Sequence, residues 1–144
     1  MLNEHGIHSR LADLREYLSE LEPMRTLSFE HYESDLLLRR AVERMMELLI
    51  ECAIDINGLL IVGSGSRPPR DYRTSFLALG EMGIVGADQS AQLASMARLR
   101  NALAHEYESM DDQEIHANIV IVLDLFAHYL ESVTRFLAPA QEQE

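Results

Sequence analysis

Apolar side chains fall at Ile115, Ile119, Val122, Phe126, Tyr129, Val133 and Phe136, alternating four and three residues apart. That repeat follows the 3.6-residue turn of an α-helix with one buried face, and no strand produces it. The same alternation puts Ile7, Leu11, Leu14, Leu18 and Leu21 on a first helix, with Pro23 just past its end. Ser28 is placed to cap a second segment running to about Leu60, whose predicted buried stripe is Leu38, Val42, Met45, Leu49, Cys52, Ile56 and Leu60. At ~1.5 Å per residue that segment would approach 50 Å, so it should kink or break. Gly63–Asp71, reading GSGSRPPRD, is the clearest loop. A short helix is expected over Tyr72–Met82, then a turn at Gly83–Gly86 and a helix from about Asp88 to Ala104 with Leu93, Met96, Ala97 and Leu103 on one side. Asp111 and Glu114 have capping-box spacing ahead of the last helix. No segment alternates with period two. The expected fold class is all-α, an up-and-down helical bundle of four main helices plus a short one, in a single domain over residues 1–138 with a short tail at 139–144.

The single cysteine, Cys52, excludes an intramolecular disulfide and a cysteine-based zinc site, and its place on the apolar stripe predicts a buried, inert thiol. The first ten residues, MLNEHGIHSR, lack the apolar region of a secretory leader. The longest uncharged apolar runs fall well short of the ~20 residues a membrane helix needs. A cytoplasmic chain with no membrane partner is expected.

Twenty-four acidic residues oppose twelve basic ones, for a net charge of −12, and all twelve basic residues are arginine. Broad electrostatic coating of nucleic acid is excluded, because that affinity rests on neutralising phosphates. A small local arginine site is not excluded, and arginine suits bidentate phosphate contact better than lysine.

The inventory for catalysis is short. There is no P-loop, dinucleotide glycine fingerprint or HExxH. A di-iron bundle would need Glu-x-x-His on two helices, and no Glu here is followed by His three positions on. His128 near Asp124 and Glu131, and His31 near Asp35, read as solvated helix faces, so neither a metal nor a cofactor is expected. One stretch stands apart, ARLRNALAHEY, in which Arg100, His105 and Tyr107 form R-x4-H-x-Y. Arginine is a permanent planar cation for phosphate, and histidine exchanges protons near neutral pH. Together they suffice for metal-free RNA cleavage with the 2′-hydroxyl as nucleophile: His105 as general acid or base, Arg100 as charge stabiliser, Asn101 supporting the imidazole. Arg67, Arg70 and Arg73, around the Pro–Pro loop, and Arg98 are candidate RNA contacts. Arg100 and His105 are separated by about 140° around a straight helix. Either the helix ends near His105, or a second copy of the chain completes the site. On residues alone, a cluster that merely caps carbonyls at a helix end is the stronger reading.

Four ordered segments shift that balance: LREYLSELEPMR; YESDLLLRRAVERMMELLIECAIDI with its Glu51 and Asp55; SRPPRDYRTSFLALGEMGIV; and MARLRNALAHEYESMDD, which carries RN-x3-H-x-Y intact at Arg100, Asn101, His105 and Tyr107. In this order they resemble the HepT-like (DUF86) branch of the HEPN superfamily. The resemblance implies an all-α homodimer whose R-x4-H motifs meet at the interface. It implies the toxin of a type VII-like toxin–antitoxin pair, a metal-independent endoribonuclease acting on RNA. It also implies an MNT-type nucleotidyltransferase antitoxin that AMPylates the motif tyrosine, Tyr107. Some HEPN proteins keep the fold without nuclease activity, so a non-catalytic module that binds a nucleotidyltransferase or nucleotide is the alternative.

Overall fold

The computed structural model describes residues 2–105 and 110–139. Among these it contains six α-helices and no strand: α1 (Glu4–Leu21), α2 (Phe29–Ser34), α3 (Leu36–Gly63), α4 (Tyr72–Glu81), α5 (Ala87–Ala104) and α6 (Asp112–Leu137). A 3-10 turn over Glu22–Thr26 joins α1 to α2. Short polar side chains start five of the helices by accepting an otherwise orphaned backbone N–H, as such residues do. Asn3 takes Gly6, Ser28 takes His31, Asp35 takes Leu38, Asp71 takes Thr74 and Asp111 takes Glu114, at 2.7–3.1 Å.

The long second segment breaks rather than kinks, which is why six helices stand where five were expected. At Asp35 the backbone is extended (φ −112°, ψ 94°), ending α2 while the side chain caps α3. Helix α3 packs against α1, α2, α4, α5 and α6. A helix surrounded in this way buries more than one stripe. Met46, Ile50, Ala53 and Ile61 are therefore buried with the expected Val42, Leu49, Cys52, Ile56 and Leu60, while the predicted Leu38 and Met45 are only half-buried. On α6, Ile115 through Val133 are buried as the spacing requires, but Phe136 lies exposed in the last turn. Helix α6 is by length and composition apolar enough to cross a bilayer, yet its apolar stripe is spent on the core.

Two devices set the angle between elements. Gly83, at φ +76°, adopts the left-handed conformation that ends α4, and the Gly83 and Ile84 N–H groups donate back to the Gly80 and Leu79 carbonyls. Gly80 lets α4 and α5 touch, because a Cβ there would stand 2.5 Å from the Ser90 hydroxyl oxygen, which donates to the Phe76 carbonyl. Phe76, Phe126 and Tyr129 then pack edge to face with centroids 6.0–6.2 Å apart, the favoured arrangement of aromatic quadrupoles. Burial pushes the Cys52 thiol up to about 12, and its Sγ donates to the Arg10 carbonyl at 3.2 Å, leaving an inert group.

A buried polar chain crosses this apolar core. The Tyr129 hydroxyl donates to the Asn57 amide oxygen at 2.6 Å, Asn57 Nδ2 donates to Ser75 Oγ at 3.1 Å, and Ser75 Oγ donates to the Tyr72 carbonyl at 2.8 Å. Asn57 and Ser75 are wholly buried, so each bond replaces water that cannot enter. Asn57→Ala removes the donor to Ser75 and one acceptor of the Tyr129 hydroxyl, which keeps the Ala53 carbonyl at 3.1 Å, and should lower unfolding free energy by about 1–3 kcal/mol, the cost of a buried polar group left unpaired. Urea unfolding of the variant against the wild type, read at the midpoint, measures this.

Candidate functional site

Helix α5 carries the polar motif and ends inside it. The last helical residue is Ala104, and His105 follows with an extended backbone (φ −129°, ψ 111°). Of the two ways out of the angular problem, the chain itself shows the first: the helix stops at the histidine. The His105 N–H donates to the Asn101 carbonyl at 2.9 Å, so Asn101 is linked to it through the backbone at the helix end. His105 is exposed. Tyr107 lies outside the described residues.

Arg100 points away from that end, towards the seam between α3 and α4. Its Nη2 donates to Glu51 Oε1 at 3.1 Å, and its guanidinium carbon sits 4.4 Å from the centre of the Tyr72 ring. Neither partner is detectable by spacing: Glu51 lies 49 residues before Arg100. Asp55, one turn further along α3, stands 3.8 Å from Arg10 of α1 instead and takes no part in this cluster.

Beside the Tyr72 ring, the start of α4 and one face of α5 enclose a cleft of about 780 Å³, lined by Arg70, Tyr72, Arg73, Arg98 and Asn101 among others. Arg67 lies in the adjoining groove beneath Pro68 and Pro69, which shares Arg70 with the cleft. Most arginines of this acidic chain are already matched with carboxylates. On α3, Arg39 pairs with Asp112, Arg40 with Glu43 and Arg44 with Glu47; elsewhere Arg25 pairs with Glu22 and Asp124, and Arg98 with Glu114. Arg67, Arg70 and Arg73 have no ion pair within 4 Å among the described residues. The cleft rim is not uniformly cationic, because Asp71 belongs to it. Hydrogen bonds from the Thr74 side chain and backbone N–H hold the Asp71 carboxyl below the usual carboxylate range, and the neighbouring Arg70 and Arg73 add to this. The capping box expected at α6 forms by half: Asp111 caps, whereas the Glu114 carboxylate turns to Arg98 at 3.1 Å. Among the described residues no three His, Cys, Asp or Glu side chains gather to hold a metal.

This arrangement offers an exposed imidazole at His105, a guanidinium held by Glu51 and Tyr72 at Arg100, and, around the cleft beside Tyr72, Arg70 and Arg73 with no ion pair among the described residues. Such a set suits a phosphodiester better than a neutral substrate. Over 137 residues, covering 95% of this chain and 93% of the relative, the sequence is 27% identical to the tRNA nuclease HepT of Aphanizomenon flos-aquae. The fold matches that of the tri-AMPylated Shewanella oneidensis HEPN toxin, solved in complex with MNT antitoxin, with a TM-score of 0.80 at 19% identity over 90% of this chain and 96% of that one. It also matches YutE, a cytosolic Bacillus subtilis protein of unknown function, with a TM-score of 0.78 at 20% identity over 94% and 91%. The family model for ribonuclease HepT-like proteins matches residues 14–133, from the middle of α1 to the last turns of α6 and across the whole polar cluster, and the chain belongs to that family.

Proposed function

We propose that this chain is the toxin of a type VII-like toxin–antitoxin pair, a metal-independent endoribonuclease working from the cytoplasm. The observation that supports it most directly is the arginine-lined cleft that takes in Asn101 and the Tyr72 ring packed on Arg100, in a HepT-like chain. His105 takes the proton from an RNA 2′-hydroxyl or gives one to the leaving 5′-oxygen. The 2′-oxygen attacks phosphorus, the bond from phosphorus to the 5′-oxygen breaks, and a cyclic phosphate and a free 5′-hydroxyl result. Arg100 stabilises the charge that gathers on the phosphorane, and Asn101 supports the imidazole. Arg67, Arg70, Arg73 and Arg98 hold the flanking backbone. The net charge of −12 is compatible with this, because Arg67, Arg70 and Arg73, which have no ion pair among the described residues, stand together around the start of α4. Transfer RNA is the first substrate to test, given the activity carried in the name of the Aphanizomenon relative.

The active form is a homodimer. Arg100 and His105 face different ways from one chain, and a groove of about 760 Å³ between α5 and α6, lined by Met96, Leu99, Ile121 and Leu125, borders Arg98. A second copy seated there brings two motifs together, and an isologous contact repeats itself across the two-fold axis. The partner protein is an MNT-type nucleotidyltransferase that silences the toxin by transferring AMP from ATP to Tyr107. The added phosphate and nucleoside compete with substrate for the motif arginine. The excess of acidic residues and the absence of lysine favour a second reading, a non-catalytic module that binds a nucleotidyltransferase or nucleotide.

Arg100→Ala and His105→Ala should each lower cleavage of a tRNA transcript by ~10²–10⁴-fold and relieve growth inhibition, with cleavage unchanged in EDTA. Full activity in both variants would show that the motif is not the active site, and no cleavage by the wild type would favour the non-catalytic module. Sedimentation equilibrium at micromolar concentration should give twice the 16.4 kDa chain mass, and Ile121→Asp should return it towards the monomer. After incubation with the antitoxin and ATP, intact-mass spectrometry should show AMP additions on the wild type and none on Tyr107→Phe.

A further inference from the structure

Arg100 is gripped from two sides by residues outside the motif. On one edge Nη2 donates to Glu51 Oε1 of α3 at 3.1 Å, and against its face lies the Tyr72 ring of α4, 4.4 Å from the guanidinium carbon. The Arg100 side chain is 17% exposed and that of Glu51 35% exposed, so the arginine end of the pair is shielded while water still reaches the carboxylate. Its Nε is buried with no hydrogen-bond partner among the described residues. An unrestrained arginine samples many rotamers, and a catalytic cation gains most when its orientation is set before the reaction. Of its five N–H donors, one engages Glu51, which leaves others for a phosphate oxygen.

The grip is itself anchored. Asp71 caps the first turn of α4 through the Thr74 N–H at 2.7 Å, and the Tyr72 carbonyl accepts from Ser75, the outer end of the buried chain through Asn57 and Tyr129. The ring that backs Arg100 thus starts from a backbone fixed to α3 and α6. Glu51 stands on the same helix as Asn57, a turn and a half earlier, so the two sides of the grip are held in common register.

We propose that Glu51 and Tyr72 are positioning residues for RNA cleavage: they hold the Arg100 guanidinium in the one orientation from which it meets charge developing on the scissile phosphate. This rests on the reading of Arg100 given above. The carboxylate acts as a hydrogen-bond acceptor and the tyrosine as a flat surface. An opposite role is conceivable in chemical terms, a lock in which Glu51 withholds Arg100 from substrate, and it makes the opposite prediction.

The test is steady-state cleavage of a tRNA transcript by the purified full-length chain, with thermal unfolding as the check on folding. Glu51→Ala and Tyr72→Leu should each lower kcat by up to ~10²-fold with KM within about two-fold of wild type, the result of misplacing a group that acts in the transition state. Glu51→Gln, which keeps an acceptor, and Tyr72→Phe, which keeps the ring, should retain most of the rate. In an Arg100→Ala background, Glu51→Ala should cause no further loss, since the group it acts through is gone. An equal loss in both backgrounds overturns the proposal, as does a kcat for Glu51→Ala at or above wild type while Arg100→Ala is impaired. A rise in rate for Glu51→Gln identifies the lock and overturns it as well. Wild-type cleavage by Arg100→Ala removes the catalytic reading of the motif, and the positioning role falls with it.

Discussion

Asn57 is a fully buried amide on the core face of α3, and α3, α4 and α6 are registered through it. Apolar packing is tolerant of small slides, because one methyl group replaces another at little cost. A hydrogen-bonded chain buried away from water is not tolerant, since a shift of an ångström leaves donors and acceptors unpaired. The chain from Tyr129 through Asn57 and Ser75 to the Tyr72 carbonyl therefore fixes the rotation and height of three helices relative to one another. It also ends at the residue whose ring lies against Arg100. Core geometry and site geometry are in this sense one constraint.

Electrostatics divide the surface in a way that the net charge conceals. Along α3, arginines sit three residues before glutamates and pair with them, so that helix presents matched charge to solvent. Exposed pairs of this kind contribute little to stability, typically under ~1 kcal/mol, but they do remove free cations from the surface. Arg67 and Arg70 follow serine and proline in the loop before α4 and Arg73 stands in its first turn, and no carboxylate comes within ion-pair distance of them among the described residues. A chain of net charge −12 thereby keeps a cluster of three arginines without a carboxylate partner among the described residues, around the cleft between α4 and α5. Repulsion from the rest of the surface would discourage nonspecific attachment to nucleic acid while leaving that place available.

The helices were legible because their causes are local. Apolar spacing marked α1, α3, α5 and α6, and Ser28, Asp71 and Asp111 stand as caps where short polar side chains precede periodic segments. Asp35 gave no comparable signal, since it sits inside a continuous run of helix-compatible residues, and only the fold shows that its side chain caps a new helix there. The choice of Met46 over Met45 as the fully buried methionine was equally beyond the pattern. It depends on which neighbours surround α3 and at what angle. Leu99, buried between Arg98 and Arg100, and Phe136, exposed in the last turn of α6, depend on the same non-local facts.

By itself the sequence determined an all-α chain, a helix carrying Arg100 and Asn101 up to His105, and the impossibility of Arg100 and His105 converging from one straight helix. These follow from the 3.6-residue turn and from the chemistry of each side chain, which the chain carries wherever it folds. Only the tertiary structure decided that Arg100 turns inward to Glu51 and Tyr72, and that Arg70, Arg73 and Arg98 share one cleft. The reason is separation: Glu51 and Arg100 are 49 residues apart, and no local rule links positions brought together by the packing of three helices around a buried amide.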